Sequence, residues 1–560
     1  MSNKTWTPLI IACAGAFFIY LGMRVQALRQ PESSLSYVPS SDQFHSSEGG
    51  LSSRDASSKL VYLFDLLRDR YVDTLNLKQL VEDAIPTIIE ELDPHSVYIS
   101  EKELDEVNEQ LDGSFSGIGV QFNIQNDTVM VIQVIAGGPA EKVGMMAGDR
   151  IVEVNDSVFC GPEISNTKVQ KTLKGEKGTI VKLGVRRSTS DEILHYDIVR
   201  GDIPVNSVTA EYLIDGNIGY ILVDNFGRNT YNEFFTALLN LKVRGAKGYI
   251  VDLRNNGGGF MEVCCQMVNE FLGEGDMIVY TEGKLMDKRR SEIKADGRGN
   301  FQDVPVVVMI NEWSASASEI FSGAIQDNDR GTIVGRRSFG KGLVQQQFDL
   351  NDGSALRLTI ARYHTPSGRC IQKPYDMGKG EDYMMDIINR YDHGEFYSQD
   401  SIHLADSLKF YTKGGRVVYE GGGIMPDIFI PQDTSYISPY YNQCVNLGLC
   451  YSFAFKYNDQ NREKLSSFSD FDTMESYLKS QELMDKFVQF ASGKAKPSAN
   501  DLKTSRQALE RLIIAYIMRQ SQNENYFYRE FNSIDNTYLK AIELLRKQLS
   551  MNNDQVTIGK

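Results

Sequence analysis

The chain has 560 residues, 41% of them hydrophobic and 24% charged, with 28 Tyr, 27 Phe and a formal net charge of -15 at pH 7. At roughly 150 residues per domain this is a multidomain globular protein, too large for a disulfide-stapled scaffold and too apolar for a disordered chain. The acidic balance repels phosphate backbones and no basic patch offsets it, which excludes nucleic acid, while seven Cys without a CxxC spacing and six scattered His argue against a metal site.

Residues 1–30 carry an apolar run from Pro8 to Met23, flanked by Lys4, Arg24 and Arg29. Its length falls between a signal-peptide core and the roughly 20 residues that span a bilayer. Arg24 stands just before the cleavage-like Val25-Gln26-Ala27, so an uncleaved membrane anchor is expected, with secretion after cleavage as the alternative. The apolar stretch ahead of Cys13 is too short for a lipoprotein site. Residues 31–58 are Ser-rich without an apolar period and read as a flexible tether, which puts the body outside the cytoplasm.

Residues 59–112 read as a helical lead-in, with Leu60, Leu63, Phe64 and Leu67 on one stripe. Residues 113–201 change to short alternating segments punctuated by Gly, Pro and Asn-Asp, a compact β-rich domain. From 202 to 432 buried-strand patterns (GNIGYILVDNF, AKGYIVDLRNN, VPVVVMIN) alternate with helices, predicting an α/β core with a largely parallel sheet. Residues 433–560 read as helical. Leu502, Leu509, Leu512, Ile513, Tyr516 and Ile517 make one stripe, and Phe531, Ile534, Tyr538, Ile542, Leu545 and Leu549 another. Packing within their own domain is the plain reading of these stripes, and a dimerisation or adaptor surface the sharper one.

Open α/β sheets put chemistry beyond the carboxyl ends of their strands. Asn255-Asn256-Gly257-Gly258-Gly259 follows one such strand, and its glycines let N–H groups turn towards an anion, although taken alone a plain turn without a ligand explains them better. Ser316, in Ser314-Ala315-Ser316-Ala317-Ser318-Glu319, stands where another strand passes into a helix, at the positive end of the helix dipole. Ser316 and Glu319 also fit a capping box. A serine nucleophile needs a base, and no His sits in a triad motif; His95 and His364 read as turn residues. Lys341, between Gly340 and Gly342 and followed by apolar residues, is the alternative, since burial lowers an amine's pKa.

Two family resemblances follow from these motifs. FSGIGVQF, GGPAEKVGMMAGDRIVEVND and LKGEKGTIVKLGVRR resemble a PDZ domain, in which Gly117, Ile118, Gly119 and Val120 point backbone N–H groups at a peptide's terminal carboxylate and the next strand offers an open edge. DPHS at 93–96, DLRNNGGG, ASASEIFSGAIQDNDRGTIVGRRSFGKGLVQ, RYHTPSGR and GGGIMPDIFIP resemble the carboxyl-terminal processing proteases, S41 serine endopeptidases with a Ser-Lys dyad, over most of residues 60–432. The resemblance implies a crotonase-like or ClpP-like β/α core with an inserted PDZ domain. It makes Ser316 the nucleophile, Lys341 the general base, Gln345 the residue that orients the lysine and Glu319 a supporting acid. The oxyanion donors become the N–H of Ala317 and of either Gly257 or Gly258. No cofactor is implied. Substrates would be proteins or peptides recognised by their C-termini, in a bacterial periplasm with the chain tethered to the inner membrane. An adaptor lipoprotein and a homo-oligomer fit the same resemblance. Residues 374–412 lengthen the core and are expected to form a surface excursion near the active cleft. Two rival readings are a membrane-tethered PDZ scaffold without activity, argued against by the presence of Ser316 and Lys341, and an acyl-ligand-binding protein, argued against by the PDZ insertion.

Overall fold

Three strands set the architecture. Ile218–Val223, Gly248–Asp252 and Val306–Ile310 are buried at every position, the mark of strands covered on both faces. They form the middle of a six-stranded sheet in the order Val208–Ile214, Ile218–Val223, Gly248–Asp252, Val306–Ile310, Thr332–Gly335, Ile428–Phe429, parallel except for the first pair. The computed structural model describes residues 53–558 apart from 105–106, 108–112, 126, 136, 188–189, 191, 285–289 and 404. The expected anchor at 1–30 and most of the tether lie outside the described residues. Among the described residues no helix is long and apolar enough to cross a membrane.

One face of the sheet packs on Thr230–Val243, Met261–Asn269 and Ala317–Asp327 through Phe234, Leu238, Met267 and Phe321. The opposite face presents Tyr212, Tyr220, Ile250, Val307 and Met309, and the final helix, Asn536–Ile558, closes it with Tyr538, Ala541, Ile542, Leu545 and Leu549. This corrects the expectation that the terminal helices pack only within a domain of their own. The helices from Pro439–Asn446 to Ala499–Ser521 build a separate core around Phe453, Met474, Phe487, Ile513 and Met518, whereas the final helix belongs to the central sheet.

A second, antiparallel sheet joins Val97–Ile99, Leu343–Asp349, Ala355–His364, Met277–Gly283 and Arg290–Lys294. It brings the 93–96 motif and the Lys341 loop to one place, because both flank Ala355–His364. The β-rich unit is an antiparallel sheet of Val120–Gln125, Thr128–Val134, Arg150–Val154, Ile180–Arg186 and Ile193–Val199, packed with the helix Asn166–Leu173 around Val129, Ile151, Val169 and Val185. Its entry and exit strands, Ser114–Gly117 and Gly201–Pro204, pair with each other. Arg462 Nη2 donates to the Ala147 carbonyl at 3.2 Å, docking this unit on the helical region. The first helix runs Ser53–Arg70, so it begins inside the stretch expected to be a tether.

Candidate active site

The strand Val306–Ile310 leads through a tight turn to the helix Ala317–Asp327, and Ser316 at the junction has φ 56° and ψ -114°. A non-glycine residue in this region stores roughly 1–3 kcal/mol of backbone strain and persists only where its surroundings over-determine it. Here they do. Ser314 Oγ donates to the Leu253 carbonyl at 2.7 Å, and the Asn256 carbonyl accepts from Ala315 N–H at 3.0 Å and Ser318 Oγ at 2.8 Å. Glu319 Oε2 accepts from Ser316 N–H at 2.9 Å, the reach-back half of the expected capping box. Ser316 stays partly exposed while Ala315, Ala317, Ser318 and Glu319 are buried.

The glycine loop lies directly against this elbow. A Cβ on Gly258, where φ is +103°, would fall 2.7 Å from Ser316 Cβ and 3.0 Å from the Ala317 nitrogen. Asn255 and Asn311 exchange bonds, Asn255 N–H to Asn311 Oδ1 at 2.9 Å and Asn311 Nδ2 to Asn255 Oδ1 at 2.8 Å. The two glycines left open by the sequence differ here. Gly258 N–H is committed to Asn256 Oδ1 at 2.8 Å. Gly257 is exposed, and among the described residues its N–H has no acceptor, nor has that of Ala317 in the first helical turn.

The loop 338–342 faces the elbow across Glu319. The Glu319 carboxylate, fully buried, also accepts from Ser338 Oγ at 2.5 Å, Gly340 N–H at 2.7 Å and Lys341 N–H at 2.8 Å. Burial raises its pKa, and these four donors oppose that rise. Tyr363 OH bridges the two loops, reaching the Ser316 carbonyl at 3.0 Å and the Lys341 carbonyl at 2.6 Å. Burial first, and the Arg357 charge second, bring the Lys341 amine down to about 8. Its Nζ donates to Gln345 Oε1 at 2.9 Å. Four residues of extended strand would carry Gln345 about 13 Å away. The reach is possible because Lys341 precedes the strand Leu343–Asp349 and a bulge falls between Val344 and Gln345. Shared neighbours thus bring Ser316, Glu319, Lys341 and Gln345 together, although no hydrogen bond joins Ser316 Oγ to Lys341 Nζ among the described residues.

Several contacts of the site, and Thr359 and Tyr363 among its residues, were not singled out in the sequence. Gln345 Nε2 donates to the carbonyl of His95, whose ring burial and the Lys341 charge push down to about 3, so it is neutral. Asp93 shapes that turn by accepting from His95 N–H and Ser96 N–H, both at 2.9 Å, and from Thr359 Oγ1 at 3.0 Å. The pattern Asp-x-x-Ser signals such a turn; nothing in the sequence signals that its carbonyl meets Gln345, or that Tyr363 is the tyrosine under the elbow.

Residues 374–412 are largely at the surface and lie beside the site: the helix Gly380–Asp392 sends Tyr383 and Ile387 into a cluster with Ala315, Phe339 and Phe396. Tyr383 OH pairs with His95 Nε2 at 3.0 Å and accepts from Gln372 Nε2 at 3.2 Å, while Arg390 donates to the carbonyls of Arg337 at 2.8 Å and Ser338 at 3.0 Å. The insertion braces the lysine loop from behind.

In the β-rich unit Gly117, Ile118 and Gly119 are buried and Val120 opens the strand Val120–Gln125, which among the described residues pairs on one side only and leaves an edge. Gly119 has φ +79°, and a Cβ there would fall 3.0 Å from Ile203 Cδ1. Ile118 is a core residue of the unit.

Family models match at residues 217–382 (peptidase family S41), 116–197 (PDZ domain), 10–103 (activating protease CtpB N-terminal domain) and 440–523 (a family of unknown function). A carboxy-terminal-processing protease of Bartonella bacilliformis is 34% identical over 377 residues, 66% of this chain and 83% of that protein. Carboxy-terminal processing protease CtpA of Bacillus subtilis is 34% identical over 316 residues, 56% of this chain and 66% of that protein. Among solved structures, the photosystem II D1 C-terminal processing protease aligns at 25% identity and a TM-score of 0.35, covering 67% of this chain and 88% of that one. With its S41 core, its PDZ domain and this degree of identity, the chain belongs to the carboxy-terminal processing proteases, serine-type endopeptidases of peptidase family S41.

Proposed function

We propose that this protease works through a Ser316-Lys341 dyad on proteins presented by their C-termini. Neutral Lys341 takes the hydroxyl proton of Ser316 as Oγ attacks the scissile carbonyl. The N–H groups of Ala317 and Gly257 receive the oxyanion, a role supported by their lack of another acceptor among the described residues. The lysine, now an ammonium held by Gln345, gives its proton to the leaving amine. Water then attacks the acyl ester with Lys341 again as base, releasing the acid and restoring Oγ–H. The observation that carries this reading is the desolvated Lys341 amine, its pKa near 8 and its Nζ on Gln345 Oε1, on a loop tied through Glu319 and Tyr363 to the strained Ser316. Glu319 holds both loops in place through their backbones.

The PDZ domain takes a C-terminal peptide as an added strand on Val120–Gln125, with the carboxylate at the Gly117 to Val120 loop; the open edge supports this. The apolar run from Pro8 to Met23 supports an inner-membrane tether with the catalytic body in the periplasm.

The test incubates full-length protein with unfolded casein, comparing the parent with Ser316→Ala and Lys341→Ala, folding being checked by circular dichroism. Cleavage by the parent alone is expected. Equal cleavage by all three overturns the dyad. Titrating peptides with a free or amidated C-terminus against the parent tests the PDZ reading, which expects only the free acid to bind and fails if both bind equally.

A further inference from the structure

The glycine loop begins at a polar node shared with the end of the chain. Asp252 closes the strand Gly248–Asp252, and its carboxylate accepts from Tyr220 OH at 2.7 Å and from Arg254 Nε and Nη2 at 2.9 and 2.7 Å. On its far side the same guanidinium meets two residues from the junction of the last two helices, Glu524–Phe531 and Asn536–Ile558. Nη2 donates to Asn532 Oδ1 at 3.2 Å, 278 residues further along, and Nη1 lies 2.9 Å from Asp535 Oδ1. Asn532 is buried and gives its amide protons to Tyr220 OH at 3.1 Å and Tyr212 OH at 3.3 Å. Asp535 Oδ1 also caps the final helix, accepting from Tyr538 N–H at 2.8 Å.

One carboxylate, that of Asp252, suffices to balance the single charge of Arg254; Asp535 adds a second and Asn532 an amide oxygen, and what these two add is orientation. A guanidinium has a fixed planar fork, and partners on two sides leave it one orientation where one carboxylate leaves a swing about the Arg254 side chain. Arg254 is where the chain leaves the sheet for Asn255, Asn256 and Gly257. We propose that Arg254 is a positioning residue for the Gly257 N–H, and that Asn532 and Asp535 make the last two helices part of the catalytic unit. This rests on the oxyanion role given to Gly257 above. A donor that acts on the oxyanion contributes in the transition state and little in the ground state, so its misplacement lowers kcat and spares KM.

The test uses full-length protein carrying Asn532→Ala with Asp535→Asn, the latter keeping a good helix cap, and Asp535→Asn alone should the pair fold poorly. Arg254→Lys and Arg254→Met make a graded pair. Arg546→Ala is the control, because Arg546 pins the same final helix to Asp215 at an exposed site away from the node. The double variant is expected to lose about tenfold or more in kcat at unchanged KM, and Asp535→Asn a smaller part of it. The rate profile near pH 8 stays in place, and affinity for a peptide aldehyde, which forms a tetrahedral adduct, falls in step with kcat. Arg254→Lys recovers part of what Arg254→Met loses. Parental kcat in the double variant, a loss shared by Arg546→Ala, or a rise in KM instead of a fall in kcat overturns the inference. Cleavage that survives Ser316→Ala would overturn the dyad itself, and is scored separately.

Discussion

Glu319 is buried and Lys341 half-buried with its amine desolvated, on facing walls of one site, and the fold treats these two ionisable side chains in opposite ways. The carboxylate accepts from Ser316, Ser338, Gly340 and Lys341, and three of those four donors are backbone N–H groups. Among the described residues the amine has one hydrogen-bond partner, the neutral Gln345 Oε1. A buried charge surrounded by donors costs little and fastens what surrounds it; one left nearly bare gives up its charge instead. Rigidity and proton affinity are therefore assigned to different residues. The Glu319 side holds the elbow and the lysine loop in register, and the Lys341 side remains free to titrate.

This contrast can be broken most forcefully at Lys341. Lys341→Met keeps the volume and removes the amine, so activity is expected to fall by about 10³-fold or more while stability in urea holds or rises by about 1 kcal/mol. A clear loss of stability would mean that the amine is structural. The pH dependence has a definite sign. Between about 8 and the ordinary lysine value of 10.5 the unfolded chain binds a proton that the folded one does not, so the parent gains stability relative to Lys341→Met as pH rises through that window.

Glu319→Ala should do the reverse, leaving one hydroxyl and three N–H groups without their acceptor. A loss of about 3 kcal/mol or more in urea unfolding is expected, together with loss of activity. Gln345→Leu comes next. It removes both the orientation of the amine and an acceptor that favours the ammonium, so kcat should fall about 10- to 100-fold while the alkaline-rising limb of the rate profile moves below about 8. Tyr383→Phe tests the insertion, with a few-fold drop in kcat expected from loss of the hydroxyl at His95 and Gln372; an unchanged kcat would make the brace dispensable. Arg357→Gln is the subtlest. Removing a cation that disfavours the ammonium should move the same limb upward by a fraction of a unit, readable as a shift in the pH midpoint of kcat/KM.

Ser316 and Lys341 each stand out in a short local pattern, a strand ending in small residues before a helix and a lysine between glycines, but it is the resemblance to the S41 proteases that pairs them as a candidate dyad. Gln345 was not legible from its own neighbourhood, since its reach depends on a bulge at Val344 and on the carbonyl of His95. The place of the insertion at 374–412 near the cleft was legible but its role was not, because composition does not say what a helix leans on; Tyr383 leans on the turn at His95 and Arg390 on the lysine loop.

The distinction between Gly257 and Gly258 shows where local reading stops. Both are glycines in one turn, and only the Asn256 side chain, itself held by the Val223 carbonyl, takes up one N–H and leaves the other. The amphipathic stripe of the final helix was visible as a face to be buried, yet its counterpart is a sheet face built from strands hundreds of residues earlier. By itself the sequence determined the α/β and PDZ patterns and marked Ser316 and Lys341 as candidates, because hydrophobic period, glycine placement and turn chemistry act over a few residues. Tertiary structure alone decided the proton affinity of Lys341, the identity of the free N–H and the covering of the sheet, because desolvation, hydrogen-bond competition and burial depend on which distant groups share a space.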